Sequence, residues 1–233
     1  MTIPLNSGRD YITWTFDFAL STFYEIETNL IQALIPPRLT PVEVAPGVSL
    51  INLTSFNFPK GALGTLPEFQ ELILSAIVSP DLSRSVPKFA MYIISLGSTC
   101  REHLDHSADY YKLPIYDLIS DVTIISKELV VSYGDSHGTI LTMKNCSPLA
   151  DFKEQERYFQ VFTSEDDTIY IADVFMIASL FEHQLSGNVG VLHNHPFMKN
   201  LEVEDAEPVS YLQMINKPGK IGQQFYFRPE RFI

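Results

Sequence analysis

The stretch VSLINLTSFNF, residues 48–58, carries no charged side chain and lies between Gly47 and Pro59. It is rich in residue types that are enriched in β-strands, such as Val, Ile, Phe and Thr. A short apolar run between glycine and proline is typical of a buried strand. Two further runs of this kind follow, ELILSAIVS at 71–79 and KFAMYIISLG at 88–97. This part of the chain is therefore predicted to form consecutive strands.

The rest of the chain shows mostly the same periodicity. WTFDFALSTFY, residues 14–24, alternates in character and is rich in aromatic residues. Between residues 121 and 145, the segments DVTIIS, ELVVSYG and HGTILTMKN predict a meander, with a turn in the glycine-flanked stretch 134–138. The later predicted strands are YFQVFT (158–163), TIYIADVFMIASLFEHQL (168–185) and NVGVLHN (188–194).

Two segments have helical patterns. EIETNLIQALI, residues 25–35, places its apolar residues on one helical face, and a Pro-Pro pair follows it. STCREHLDHSADYY, residues 98–111, opens with a Ser-Thr pair, and Thr99 and Glu102 have the spacing of a capping box. Helices are therefore expected to be few and short.

Many strands, few helices and no regular alternation between them predict a mainly β fold with antiparallel strands. A closed or nearly closed barrel is favoured because closure removes exposed sheet edges, and the interior of such a barrel could hold one small ligand. The chain contains no internal repeat and no linker-like tract. It is therefore predicted to form one domain over residues 1–233.

The charge of the chain argues against two classes of partner. The 233 residues include 16 basic and 28 acidic side chains, for a net charge of −12, and the basic residues form no cluster. Nucleic acid and anionic membrane surfaces both require a positive patch, so neither is expected as a partner. No signal peptide and no apolar run of membrane-spanning length are recognised. Cys100 and Cys146 match no metal or redox spacing, so a soluble cytoplasmic protein is expected.

One lysine lies in an unusual setting. Lys112 lies in ADYYKLPIYD, residues 108–117, among three tyrosines, a leucine, a proline and an isoleucine. Lysine is rarely buried, and burial lowers its pKa and makes the amine nucleophilic. Alternatively, its stem covers apolar surface while the ammonium stays in water. Glu71 opens an apolar strand and, taken alone, is expected to be a solvated strand end.

Four segments, in order along the chain, resemble the acetoacetate decarboxylase superfamily. The first two resemble the family's early helix with its L-P-x-x-L-x-P exit, and its glycine loop followed by a Y-x-E-L strand. The third resembles the segment that carries R-E and P-K-K-L, and the fourth resembles the closing h-P-x-x-x-L-x-V stretch. The segments are YEIETNLIQALIPPRLTPVEV (24–44), GALGTLPEFQELILSAIV (61–78), CREHLDHSADYYKLPIYD (100–117) and LHNHPFMKNLEVEDAEPVSYLQ (192–213). The resemblance implies an acetoacetate decarboxylase-like, antiparallel closed β-barrel or cone.

The resemblance also implies a reaction. Lys112 falls on the family's Schiff-base lysine and Glu71 on its active-site glutamate, with Phe69 in place of a tyrosine. Acetoacetate decarboxylase is itself a known example of an enzyme whose lysine is activated by desolvation or a neighbouring cation. The implied enzyme is a lyase without a cofactor, in which the Lys112 amine forms an imine with a small or medium-sized keto acid, ketone or aldehyde and Glu71 handles protons.

Other family properties follow from the same resemblance. Phe69, Tyr110, Tyr111 and Tyr116 are candidate walls of the substrate pocket, although ordinary core packing accounts for each tyrosine equally well. A biosynthetic role is implied, in which the imine leads to decarboxylation, aldol condensation, dehydration or cyclisation. Family members commonly self-associate, so a homo-oligomer is expected.

The departures from the family pattern leave an alternative open. Leu113 stands where the decarboxylases carry a second lysine, and Tyr111 stands where they carry a proline. The substrate-binding arginine of the first strand and the acidic residue of the second have no counterpart here. These losses favour imine chemistry over decarboxylation of acetoacetate itself. The alternative is a member without imine chemistry, which acts as a small-molecule binding protein or an acid–base catalyst.

The histidines are expected to be incidental. His193 and His195 are two residues apart and His183 precedes them, but no acidic partner lies nearby, so no metal site is predicted. His103 and His106 lie on the helix before Lys112, where a solvated helix face is the favoured interpretation.

Overall fold

A computed structural model describes residues 8–83, 89–128, 130–145, 152–183, 188–204, 206, 208–209 and 213–232. The strands are β1 (Tyr11–Phe16), β2 (Phe18–Glu27), β3 (Glu43–Ala45), β4 (Val48–Phe58), β5 (Phe69–Ile77), β6 (Phe89–Ser98), β7 (Ile115–Leu118), β8 (Asp121–Ile125), β9 (Val130–Asp135), β10 (Gly138–Asn145), β11 (Lys153–Glu165), β12 (Thr168–His183), β13 (Asn188–Leu192), β14 (Gln213–Asn216), β15 (Gly222–Phe227) and β16 (Glu230–Arg231). The helices are α1 (Thr28–Gln32), α2 (Arg101–Tyr111) and a 3-10 turn (Pro196–Met198).

Seven strands close into a barrel in the order β12-β11-β6-β5-β4-β2-β14, because β14 pairs back onto β12. All pairs in this ring are antiparallel except β11 with β6. β15 and β1 extend the sheet beyond β12. The predicted mainly β, closed and mainly antiparallel barrel is confirmed, and closure pairs edges that would otherwise remain open.

A second sheet covers part of the barrel wall. It has the strand order β13-β10-β9-β8, and the predicted meander forms its β8, β9 and β10. Leu53 and Leu72 point outward from the barrel and share a hydrophobic cluster with Val131 and Leu141 of this sheet. The opposite faces of β4 and β5 line the barrel interior. Burial on both faces explains why residues 48–58 form a nearly continuous apolar run.

Both helix predictions need correction at their boundaries. Residues 25–27 belong to β2 because they pair with β4 as far as Val48, so α1 covers only residues 28–32. The α2 helix begins at Arg101, and its N-cap, Cys100, makes no side-chain capping bond. The predicted capping box is wrong because the Thr99 hydroxyl accepts a hydrogen bond from the backbone N–H of Gln70 instead. Neither helix is long and apolar enough to cross a membrane, and this holds for every helix among the described residues.

Candidate active site

Helix α2 packs against side chains that point into the barrel. Its buried residues are His103, Leu104, Ser107 and Tyr111. Leu104 and Tyr111 belong to the hydrophobic cluster that contains the interior residues Phe56 and Ile93. The helix therefore brings one imidazole, one hydroxyl and one phenol to the barrel interior.

A buried carboxylate and a buried imidazole meet at this interface. Glu71 lies on β5, is 6% exposed, and places Oε2 3.0 Å from Nε2 of His103. Ser107 Oγ lies 3.2 Å from the same nitrogen. The His103 ring stacks on Phe69 at a centroid distance of 4.4 Å and meets the edge of Trp14 at 5.5 Å. This arrangement can exchange a proton between carboxylate and imidazole in surroundings from which water is largely excluded.

The solvated setting favoured for His103 is wrong. His103 is 2% exposed, because positions 103, 104, 107 and 111 form the face of α2 that packs against the barrel. The helical spacing of Leu104 and Tyr111 was the sequence signal that could have placed it there. His106 is half-buried and stacks on Tyr110. Burial, followed by the neighbouring charge of His103, lowers the pKa of His106.

Lys112 does not have the apolar environment that its flanks predicted. It ends α2 in a left-handed conformation, with φ of 58°. Its side chain is 31% exposed, and Nζ lies 3.3 Å from Oε1 of Glu165 on β11. Leu113, the next residue, is buried and points into the barrel. The left-handed turn thus directs Leu113 inward and Lys112 towards Glu165, and the structure pairs Lys112 and Glu71 with different partners.

A small apolar cavity lies inside the barrel. Its volume is about 70 Å³. An engineered apolar cavity that binds benzene has about 150 Å³, so the space is smaller than a benzene site. Its described lining contains no charged side chain and consists of Ala19, Ser21, Phe23, Asn52, Thr54, Phe56, Ile73, Phe89, Met91, Ile93, Leu113, Phe159, Val161, Val174, Met176, Leu180, Met214, Gln224 and Tyr226.

The predicted pocket residues lie elsewhere. Phe69 is fully buried between Phe58 and His103. The Tyr111 hydroxyl accepts a hydrogen bond of 2.7 Å from the Trp14 indole, and the Tyr111 ring lies 4.1 Å from the ring of Tyr226. None of Phe69, Tyr110, Tyr111 and Tyr116 is among the described lining residues. Of these four, Tyr111 is linked to the cavity through its contact with Tyr226.

Tyr116 belongs to a separate polar cluster. Its hydroxyl donates to Oδ2 of Asp135 at 2.9 Å, and Nε2 of His195 lies 3.0 Å from the other carboxylate oxygen. Nδ1 of His195 accepts from the backbone N–H of Phe197, so Nε2 carries the proton. Burial opposes ionisation of Asp135, but hydrogen bonds from the His137 backbone, Tyr116 and His195 lower the pKa of this carboxyl. The cluster joins β9 to the 3-10 turn.

The histidine pattern does not form a metal site among the described side chains. No group of three or more metal-ligating side chains is found in that part of the chain. His195 is committed to Asp135 and Phe197. The side chain of His183 lies outside the described residues, as does Cys146.

Solved structures of other proteins have the same fold as this chain. A structure of acetoacetate decarboxylase matches with a TM-score of 0.64 at 12% identity, covering 100% of this chain and 94% of that one. Acetoacetate decarboxylase from Legionella pneumophila matches with a TM-score of 0.59 at 13% identity, over 96% and 89%. The enduracididine biosynthesis enzyme MppR complexed with pyruvate matches with a TM-score of 0.59 at 6% identity, over 96% and 90%.

No family model and no curated protein matches the chain. The structural matches show that the chain has the fold of acetoacetate decarboxylase and related enzymes. The sequence resemblance is thereby confirmed at the level of the fold. Fold similarity does not establish an activity, so a function has to be argued from the cavity and the side chains around it.

Proposed function

We propose that the chain binds a small, uncharged and mostly apolar molecule in the barrel cavity, without a cofactor and without an imine at Lys112. The observation that carries this proposal is the position of two adjacent residues. Leu113 lines the cavity, whereas Lys112 lies beside Glu165 and is 31% exposed. An amine that lies outside the cavity, beside a carboxylate at 3.3 Å, is not positioned to attack a carbonyl carbon held inside the barrel.

The cavity itself supports an apolar ligand. Aromatic, aliphatic and methionine side chains supply most of its described lining. Binding sites for small molecules are usually of this kind, with a few polar groups that fix orientation. The methionines Met91, Met176 and Met214 have flexible side chains that can adapt to a ligand larger than the empty space.

Within this proposal, the residues that would catalyse a reaction of the bound molecule are Glu71 and His103, which can act as a general acid and base. The pair is buried, and its two charged or chargeable groups are 3.0 Å apart. Glu71 lies on the same strand face as the lining residue Ile73 and pairs across the sheet with the lining residue Phe56. Its charge also contributes to raising the pKa of the lining residue Tyr226, after burial and Tyr111. The pair is therefore adjacent to the space in which a ligand would lie.

Borohydride trapping tests the absence of an imine. The protein is incubated with β-keto acids, pyruvate, ketones and aldehydes, reduced, and measured by intact-mass spectrometry. We expect no adduct at Lys112, and the mass added by trapping should be the same for the Lys112→Ala variant as for the wild type. The Leu113→Lys variant is the positive control, because it places an amine on the apolar wall, where burial favours the neutral, nucleophilic form. An adduct that maps to Lys112 in the wild type would refute the proposal.

Imine chemistry at Lys112, with Glu71 as proton shuttle, is the second candidate. Two observations favour it. Lys112 directly precedes a lining residue, and a solved structure with this fold is an enzyme complexed with pyruvate. In this candidate the lysine leaves Glu165 and turns into the barrel, and the reaction is a lyase step on a keto acid, ketone or aldehyde. The same trapping experiment separates the two candidates, because only this one gives an adduct that Lys112→Ala removes.

A further inference from the structure

The cavity is long for its volume, and the inference drawn from its shape and polarity rests on the proposed function. On β2, the lining residues Ala19, Ser21 and Phe23 are three successive inward positions. Two other strands of the barrel line the cavity in the same way, through Asn52, Thr54 and Phe56 on β4 and Phe89, Met91 and Ile93 on β6. Three such positions span about 13 Å along a strand, or about 10 Å along the axis of a barrel whose strands are tilted by about 40°.

This length limits the width of the cavity. A volume of about 70 Å³ that extends over about 10 Å leaves a narrow channel, since the benzene-binding cavity holds about twice this volume. A ring or a branched chain needs more width, whereas an unbranched chain of methylene groups is the narrowest aliphatic group. The flexible side chains of Met91, Met176 and Met214 can adjust to such a chain. The shape therefore favours a short, unbranched aliphatic ligand.

Most of the polar lining is already committed. Thr54 Oγ1 donates to Oδ1 of Asn52 at 2.7 Å, which can only accept. The 2.8 Å contact between Ser21 and Thr54 must then have Ser21 as donor. The amide of Asn52 donates to the backbone carbonyl of Thr22 at 3.0 Å. The Tyr226 hydroxyl is buried from water and so offers the cavity no accessible group.

Gln224 is the polar lining residue that remains. It lies on β15 and pairs in register with Trp14 and Met176. Directly paired residues share a face of the sheet, and both partners belong to the hydrophobic cluster of the barrel interior, so Gln224 also points inward. Its side chain is half-buried and forms no hydrogen bond with a described residue. Unlike the Tyr226 hydroxyl, its carboxamide is not buried from water, so it can both donate to and accept from a ligand.

We infer that the ligand is a short, unbranched aliphatic alcohol, whose chain fills the narrow cavity and whose hydroxyl binds the carboxamide of Gln224. A hydroxyl both donates and accepts, so it can bond to either half of a carboxamide. Charged head groups are disfavoured because the described lining provides no opposite charge, and a charge that is buried without a partner has a high desolvation cost. Gln224 is thus the residue that selects an alcohol over a hydrocarbon of the same shape.

Matched probes test the shape and the polar contact separately. The isomers 1-butanol and tert-butanol differ only in branching, and n-pentane carries a methyl group in place of the hydroxyl of 1-butanol. Dissociation constants are measured by NMR from the shifts of the methionine methyl groups, since Met91, Met176 and Met214 line the cavity and report binding inside it. The variants are Gln224→Leu and, as control, Gln223→Leu, because Gln223 is an exposed glutamine outside the cavity lining.

The wild type should bind 1-butanol about tenfold more tightly than tert-butanol, because overpacking a narrow site costs about 1–3 kcal/mol. Gln224→Leu should shift the ratio of the 1-butanol and n-pentane dissociation constants about fivefold in favour of n-pentane, the value of one neutral hydrogen bond. Gln223→Leu should leave this ratio unchanged. Equal affinity for the two butanol isomers, or the same ratio in Gln224→Leu as in wild type, would overturn the inference and leave the proposed function intact. If no probe shifted the lining methionines of the wild type, both would be overturned.

Discussion

The Glu71 carboxylate is paired with the imidazole of His103. Its Oε2 lies 3.0 Å from His103, and both side chains are under 10% exposed. Removing one partner of a buried hydrogen-bonded pair leaves the other group unsatisfied, which typically costs about 1–3 kcal/mol. We therefore expect His103→Leu to lower the free energy of unfolding by about this amount, measured by urea denaturation at pH 7. Glu71→Gln should cost less, since an amide can still bond to the imidazole.

His106→Leu is the matched control, because His106 lies on the same helix but is half-buried and stacks on Tyr110. We expect it to change stability by less than about 1 kcal/mol. Equal losses for His103→Leu and His106→Leu would show that the pair with Glu71 contributes nothing beyond packing.

At the residue scale, the sequence could not show which side chain near residue 112 points into the barrel. The apolar flanks of Lys112 predicted a buried amine, yet Leu113 is the residue that lines the cavity and Lys112 is 31% exposed beside Glu165. Which of two adjacent side chains points inward depends on the left-handed backbone at Lys112, with φ of 58°. Only a few per cent of non-glycine residues adopt this conformation, so residue type alone could not have predicted it.

At the element scale, the C-terminal end of α2 determines which side chain points into the barrel. Lys112 occupies the position where helices prefer glycine, because a Cβ makes the left-handed region unfavourable by about 1–2 kcal/mol. We expect Lys112→Gly to be more stable than Lys112→Ala by about 1 kcal/mol, measured by thermal and urea unfolding. Both variants lose the contact with Glu165, so the comparison isolates the backbone effect.

Equal stability of the glycine and alanine variants would mean that residue 112 does not hold the left-handed conformation. The left-handed backbone would then no longer explain why Leu113 points into the barrel and Lys112 points away from it. Neither variant has an amine at position 112. In the borohydride experiment both should therefore give no adduct at this position, whichever backbone conformation they adopt.

Strand elements were more predictable than helix ends. The predicted strand over residues 48–58 coincides with β4, because burial on both faces gives an apolar run with clear ends. The predicted helix over residues 25–35 was too long, because its first residues pair with β4. A local helical pattern cannot report a strand partner that lies about twenty residues away, and such tertiary contacts override propensity.

At the scale of the whole molecule, the mainly β class of the fold could be predicted from the sequence, but the strand pairings that close the barrel could not. Alternating and apolar strands indicated a barrel, but the ring closes through β14, a four-residue strand that pairs with β12 and β2. The parallel contact of β11 with β6 is equally non-local. Neither pairing leaves a distinctive pattern in the residues concerned, so both had to come from the structure.

Buried phenols make the whole fold sensitive to alkaline pH. Burial is the first cause that raises the pKa of Tyr24 to about 12, and it also raises the pKa of Tyr111, Tyr133 and Tyr226. A pKa that is raised in the folded state contributes stability that is fully present below the unfolded value of about 10 and is lost as the pH rises above it. The free energy of unfolding should therefore fall steeply above about pH 10, together with a delayed rise in tyrosinate absorbance at 295 nm.

Tyr226→Phe should make this decline less steep, because one proton-releasing group is removed from the unfolding reaction. Stability near pH 8 should be unchanged or slightly higher, since the lost hydroxyl has no hydrogen-bond partner among the described residues. Tyr11→Phe, at a tyrosine that is 39% exposed, is the matched control and should leave the profile as in the wild type. If Tyr226→Phe and wild type declined in parallel above pH 10, the pKa of Tyr226 would be the same in the folded and the unfolded chain, and burial would not raise it.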